Sequence, residues 1–178
     1  MARDDYLFSG VDWFSVEEHQ KNQLQNDVAS YDDNRLLNTS VDDLCDYFAE
    51  KYRVNVPVLQ RDAIVADQRE AEVDVTHRFD YISHRPGPHL VPGTTVEITI
   101  PFTGDEQAFT IRPTTYSMNP PRATLRGDSV VVEITGIDMS ADKVRSEIDS
   151  AIASIEGYLE NLRKERLYRR YWGLLVTG

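Results

Sequence analysis

From Val144 to Leu162, apolar residues return at intervals of four, four, three, four and three, through Ile148, Ile152, Ile155 and Leu159. That is the narrow seam of a helix close to a heptad repeat. Ser140 or Asp142 can cap its start. Carried on to Arg170 it spans roughly 30 residues and about 45 Å. A chain of 178 residues has a real core but cannot cover so long a rod by itself. The seam is expected to lie on the rest of the fold at its start, and further on to project, or to pair with a protein partner or a second copy. Gly157 interrupts the helix at a cost of about 1 kcal/mol against alanine, and is expected to permit close packing.

Elsewhere the apolar period alternates between helix and strand. Residues 12–30 read as a polar, loosely amphipathic helix anchored by Val16, Leu24 and Val28. Residues 40–52, "SVDDLCDYFAEKY", read as a firmer one. Ser40 is its N-cap and Asp43 nearly completes a capping box, while Asp42 and Asp43 suit the positive end of the helix dipole. Val41, Leu44, Cys45, Phe48 and Tyr52 share one face, so Cys45 is expected in the core. Val56–Leu59 and Ile64–Val65 read as short extended pieces around Pro57. "EAEVDVT", 70–76, and "TTVEITIPF", 94–102, alternate as strands do. "AFTIRP", 108–113, is expected to run back from the turn at 103–106 as the second arm of a hairpin. "RATLRGDSVVVEIT", 122–135, reads as another hairpin, with its turn at 126–129 and its buried strand at 130–134. The fold class is therefore α+β: N-terminal helices, an antiparallel sheet of about five strands and a long C-terminal helix. The divisions expected are a peripheral helical segment 1–36, an α+β module 37–165 and a helix extension or linker 166–178.

No apolar run is long enough for a membrane span and the N-terminus lacks the pattern of a secretory signal. A single cysteine fits a reducing cytoplasm. The net charge of −11 argues against a simple nucleic-acid coat. It is unevenly spread. Residues 1–50 carry 12 acidic side chains against 3 basic, whereas "RKERLYRR", 163–170, carries five basic against one acid. Arg163, Lys164, Arg166, Arg169 and Arg170 are accordingly candidate partner contacts, with nucleic acid as an alternative ligand. No phosphate loop, dinucleotide fingerprint, nucleophile elbow or HExxH helix is present, and no cofactor is expected.

Three of four histidines fall in "HRFDYISHRPGPH", 77–89. His77, Asp80, His84 and His89 would be the ligands of a small metal-dependent hydrolase, but their spacings and the intervening Pro86 and Pro88 suit zinc poorly. The stretch reads better as a connection between strands at 76 and 94, stiffened by Pro86, Pro88 and Pro92. Arg78, His84 and Arg85 are its candidate partner contacts. Glu72 and Asp74 read as two acids on a solvated strand face. Asn119-Pro120-Pro121-Arg122 reads as a rigid bend.

Four stretches taken together carry a resemblance: "DLCDYFAEKYRVNVPVL", "AIVADQREAEVDV", "PFTGDEQAFTIRPTTYSMNPPRATLRGDSVVVEI" and "EIDSAIASIEGYLENLRKE". Between about residues 40 and 165 the chain resembles the N-terminal region of a bacterial family of mostly uncharacterised proteins. In that family a similar segment precedes a restriction-endonuclease-like domain. The resemblance implies a module of a nuclease-type system that defends against phage or foreign DNA. Such nucleases need a (D/E)-x-K element, and the residues two before Lys21, Lys51, Lys143 and Lys164 are His19, Ala49, Ala141 and Leu162. None is acidic, so the catalytic core is not expected in these residues. The ending "YRRYWGLLVTG" departs from the family's continuing helix, and the chain is expected to be a fragment or a shorter relative. A non-catalytic interaction or sensing module is the function this implies.

Overall fold

The computed structural model describes residues 6–76 and 87–175, with side chains as far as residue 165. Helices α1 (Trp13–Ala29), α2 (Asp33–Asn38) and α3 (Val41–Lys51) come first. Strands β1 (Val58–Leu59), β2 (Val65–Asp74), β3 (Leu90–Thr103), β4 (Thr124–Arg126) and β5 (Ser129–Gly136) follow, and α4 (Ala141–Leu175) ends the fold. The chain gathers into two units. One comprises Met1–Leu7, Val58–Thr103 and Asn119–Gly157; the other comprises Phe8–Pro57, Gly104–Met118 and Tyr158–Gly178. Residues 36 and 37 thus fall in one unit, and α4 contributes to both.

The first unit is the five-stranded antiparallel sheet. β3 is its centre, paired with β5 on one edge and with β1 and β2 in succession on the other. Val96, Ile98, Ile100 and Phe102 alternate onto one face and are buried. Ile98 and Ile100 stand opposite Val132 and Val130 of β5, which are buried as well. α4 is the helix of this unit, and it buries Ile152 and Ile155. Arg61, in the 3-10 turn between β1 and β2, ties to Glu156 of α4.

β2 and β3 are each longer than their alternating cores suggest, beginning at Val65 and Leu90. Pro92 therefore lies inside β3 rather than in a loop. Val75 N–H donates to His89 C=O at 2.9 Å. The odd residues of β2 then make the hydrogen-bonded pairs of an antiparallel ladder. Pro92, opposite Glu72, points its missing donor toward the other edge, where β5 pairs only from Thr94 onward. Pro101 is accommodated similarly. It sits between the partners of β2 and β1, where the neighbouring chain turns through Arg61–Ala63, and accepts from Gln60 N–H at 2.8 Å.

The expected return strand at 108–113 does not form. Both edges of β3 are taken, so no ladder is left for it. Glu106–Thr110 winds into a 3-10 turn instead, with Ala108 and Phe109 buried. Asp105 starts that turn by accepting from Asn55 N–H at 2.7 Å and donating its own N–H to Asn55 C=O at 2.8 Å. The second hairpin is as expected: β4 and β5 meet at Gly127, which has φ +60°.

The second unit holds the helices. α1 is capped by Asp12, whose carboxylate accepts from Ser15 N–H at 3.0 Å and Ser15 Oγ–H at 2.9 Å. Its buried anchor is Trp13, while Val28 is exposed. α3 has the Ser40 cap and buries Phe48, which packs edge-on against Tyr31 and Tyr47. That aromatic group covers one turn of the helix only. Val41 stays 74% exposed and Cys45 is exposed, contrary to its expected place in the core. The far part of α4 buries Tyr158, Leu159 and Leu162 within this unit, so the seam is covered by the chain itself as far as Leu162. Tyr158 stacks on Phe8 at 4.9 Å, and its hydroxyl bonds the backbone of Ser117.

Two glycines give opposite expectations. A Cβ on Gly157 would meet open space, so this glycine does not serve close packing, and G157A should stabilise by up to about 1 kcal/mol. At Gly104, φ is +107° and a Cβ would lie 2.8 Å from Asn55 O and 2.9 Å from Pro57 Cα. G104A should destabilise by about 1–3 kcal/mol. Urea unfolding of both variants measures the difference.

Candidate functional site

The second unit contains an open groove of about 1270 Å³. One wall is the face of α1 that carries His19, Gln20, Gln23, Asn26 and Asp27 at helical spacing. The other is built by Lys51–Val54, by Gly104–Ala108 and by Thr110 and Ile111, of which Ala108 and Ile111 are buried.

An ionic network closes the end of the groove near the C-terminus of α1. The Asp27 carboxylate accepts from both Lys51 Nζ and the Tyr52 hydroxyl. The hydrogen bond from Lys51, then that from Tyr52, holds the Asp27 carboxyl below its ordinary 3.8. Its own hydrogen bond to Asp27 raises the Lys51 ammonium above its ordinary 10.5, and the separate bond from the Tyr52 hydroxyl raises that phenol above 10.0. All three are thereby fixed in their neutral-pH forms: a carboxylate, an ammonium and a protonated phenol. None is poised to exchange a proton near pH 7, which general acid–base work requires. The network is a latch for α1 rather than a catalytic set. Nearby, Arg53 is paired with Glu50 at 3.2 Å. His19 lines the groove and is exposed.

The residues singled out from the sequence are placed as follows. His77, Arg78, Asp80, His84 and Arg85 lie outside the described residues. His89 is described, and its backbone is engaged with Val75 and Thr76 at the end of the β2–β3 ribbon. Glu72 and Asp74 are exposed, and Asp74 accepts from Thr76 N–H at 2.9 Å. Arg122 lies 4.5 Å over the Tyr6 ring and bonds its hydroxyl, which makes the Pro-Pro bend a tie within the first unit. Arg163 is half-buried, donates to the Pro57 carbonyl and approaches Glu160 at 3.4 Å. Lys164 is exposed. Arg166, Arg169 and Arg170 lie on α4, beyond the described side chains.

One acidic row escaped the sequence reading. Asp67, Glu97 and Glu133 stand opposite one another across β2, β3 and β5. Arg126 pairs with Glu97 at 2.8 Å and Arg69 with Glu133 at 3.4 Å, so arginines balance two of the three. No group of three or more His, Cys, Asp or Glu suited to a metal ion occurs among the described residues. Nor is any helix long and apolar enough to cross a membrane among them.

The groove itself was not anticipated. The spacing of Gln20, Gln23 and Asn26 on one helix face is visible in the sequence, but their opposite wall comes from segments more than 20 residues away. Comparison with family models, curated proteins and solved structures finds no match.

The latch predicts a particular pH dependence. A depressed Asp27 adds stability above the unfolded carboxyl's range, and this is lost as pH falls through the folded value. A raised Lys51 adds stability below its unfolded value, and this is lost as pH rises through the folded one. The stability difference between wild type and D27N should therefore stay flat between about pH 5 and 9 and shrink on both flanks. Thermal unfolding across that range measures it.

Proposed function

We propose that the chain is a non-catalytic interaction and sensing module of a bacterial nuclease-type system that defends against phage or foreign DNA. The exposure of large apolar side chains along the N-terminal helices carries the interaction part. Leu37 is 83% and Val41 74% exposed, and Phe14, Leu36 and Tyr47 are exposed with them. Apolar side chains held out on short capped helices are costly in water and suit a protein surface. The capping at Asp32 and Ser40 fixes α2 and α3 without burying these residues. The defence setting rests on the resemblance of residues 40–165. The absence of an acid two residues before any lysine supports a role without DNA cleavage.

The double variant Leu37→Asp/Val41→Asp tests this reading. Expressed with its neighbouring genes, the wild-type chain is expected to restrict phage plaquing. The variant is expected to lose that restriction while keeping the wild-type circular dichroism spectrum. Full restriction by the variant, or metal-dependent DNA cleavage by the purified wild-type chain, would contradict it.

A further inference from the structure

Helix α1 is fastened at both ends and open between them. At its start, Trp13 N–H donates to Arg112 C=O at 3.0 Å. At its end, Asp27 is held by Lys51 and Tyr52. The groove runs along the intervening face, from Ser15 to Asp27. At the helical rise that is about 18 Å, the length of about five residues of extended chain. Its volume of about 1270 Å³ also exceeds the usual range for one small molecule.

Four of its polar side chains are of one kind, beside Ser15, His19 and Thr110. The side-chain amides of Gln20, Gln23, Asn26 and Gln107 line it, and none makes a hydrogen bond to any described residue. Each offers an N–H donor and a carbonyl acceptor, the same pair that a peptide bond presents. The cations are already engaged: Lys51 with Asp27 and Arg53 with Glu50. Two acids remain uncompensated. Asp105 binds the neutral Asn55 N–H, and Glu106 has no cationic partner among the described residues. A phosphate-bearing ligand would be repelled there. A sugar chain would want aromatic platforms, and Tyr52 is the one aromatic side chain lining the groove among the described residues.

We propose that this groove binds an extended peptide segment, its main chain read by the four carboxamides and a lysine or arginine side chain received by Asp105 and Glu106. The inference rests on the interaction-module reading but on different residues.

The test is selection of a random seven-residue peptide library on the immobilised full-length chain. Enriched sequences are then synthesised with a fluorophore for anisotropy titration. Enrichment of lysine or arginine is expected. The variant Gln23→Ala/Asn26→Ala/Gln107→Ala should bind the selected peptides at least about tenfold more weakly, as expected for several lost neutral hydrogen bonds. Glu106→Lys should weaken the basic peptides and keep the wild-type circular dichroism spectrum. Failure to enrich any peptide, equal binding by the triple variant, or displacement of the peptides by dextran oligosaccharides would overturn the proposal. None of these readouts depends on Leu37 or Val41. Failure of the docking surface in the phage assay therefore leaves this outcome separately readable.

Discussion

The two-sided pairing of β3 is the constraint on which the sheet depends. Its residues from Thr94 to Thr99 are hydrogen-bonded to β5 on one side and β2 on the other. Ile98 lies within this stretch and Ile100 just beyond it, and both side chains are fully buried on one face of the sheet. The double occupancy also decides what the neighbouring sequence can become. Residues 106–110 have no free edge to join and curl into a 3-10 turn, and that turn then builds one wall of the groove. The same ladder dictates where proline is tolerated. Pro92 and Pro101 are each paired on one side only, and the strand is missing on the side their N–H would face, so neither removes a needed donor.

The helical unit is built on a different balance. Its core is concentrated in a few side chains, among them Trp13, Phe48, Phe8, Phe109 and Tyr158, Leu159 and Leu162 of α4. Between those anchors, helix faces are held by caps and by one ionic latch. The result is secondary structure whose backbone is satisfied but whose side chains are largely uncommitted. Uncommitted amides face the groove and uncommitted apolar groups face solvent.

Much of this was legible from sequence. The seam from Ile152 to Leu162, the Ser40 cap and the Gly127 hairpin follow from local pattern, because the residues that decide them are neighbours in the chain. Three features were not legible, for a common reason. The fate of Phe109 and Ile111 depends on which strands occupy β3, Cys45 on how far an aromatic group reaches along α3, and Asp27 on a lysine 24 residues away. Each is set by a non-local competition for space or partners that alternation and spacing do not encode. Gly157 illustrates the converse: a glycine in a helix suggests a close approach, yet the space beside it is open.

α1–α3 leave most of their side chains exposed whereas β3 buries one face from Val96 to Phe102, and elements with few buried contacts open more readily. Amide hydrogen exchange of the full chain under native conditions tests that division directly. The account predicts the strongest protection along β3, β5 and the stretch of α4 around Ile155 and Leu159, with α1 and α2 exchanging much sooner. Protection in α1 and α2 equal to that of β3 would contradict it.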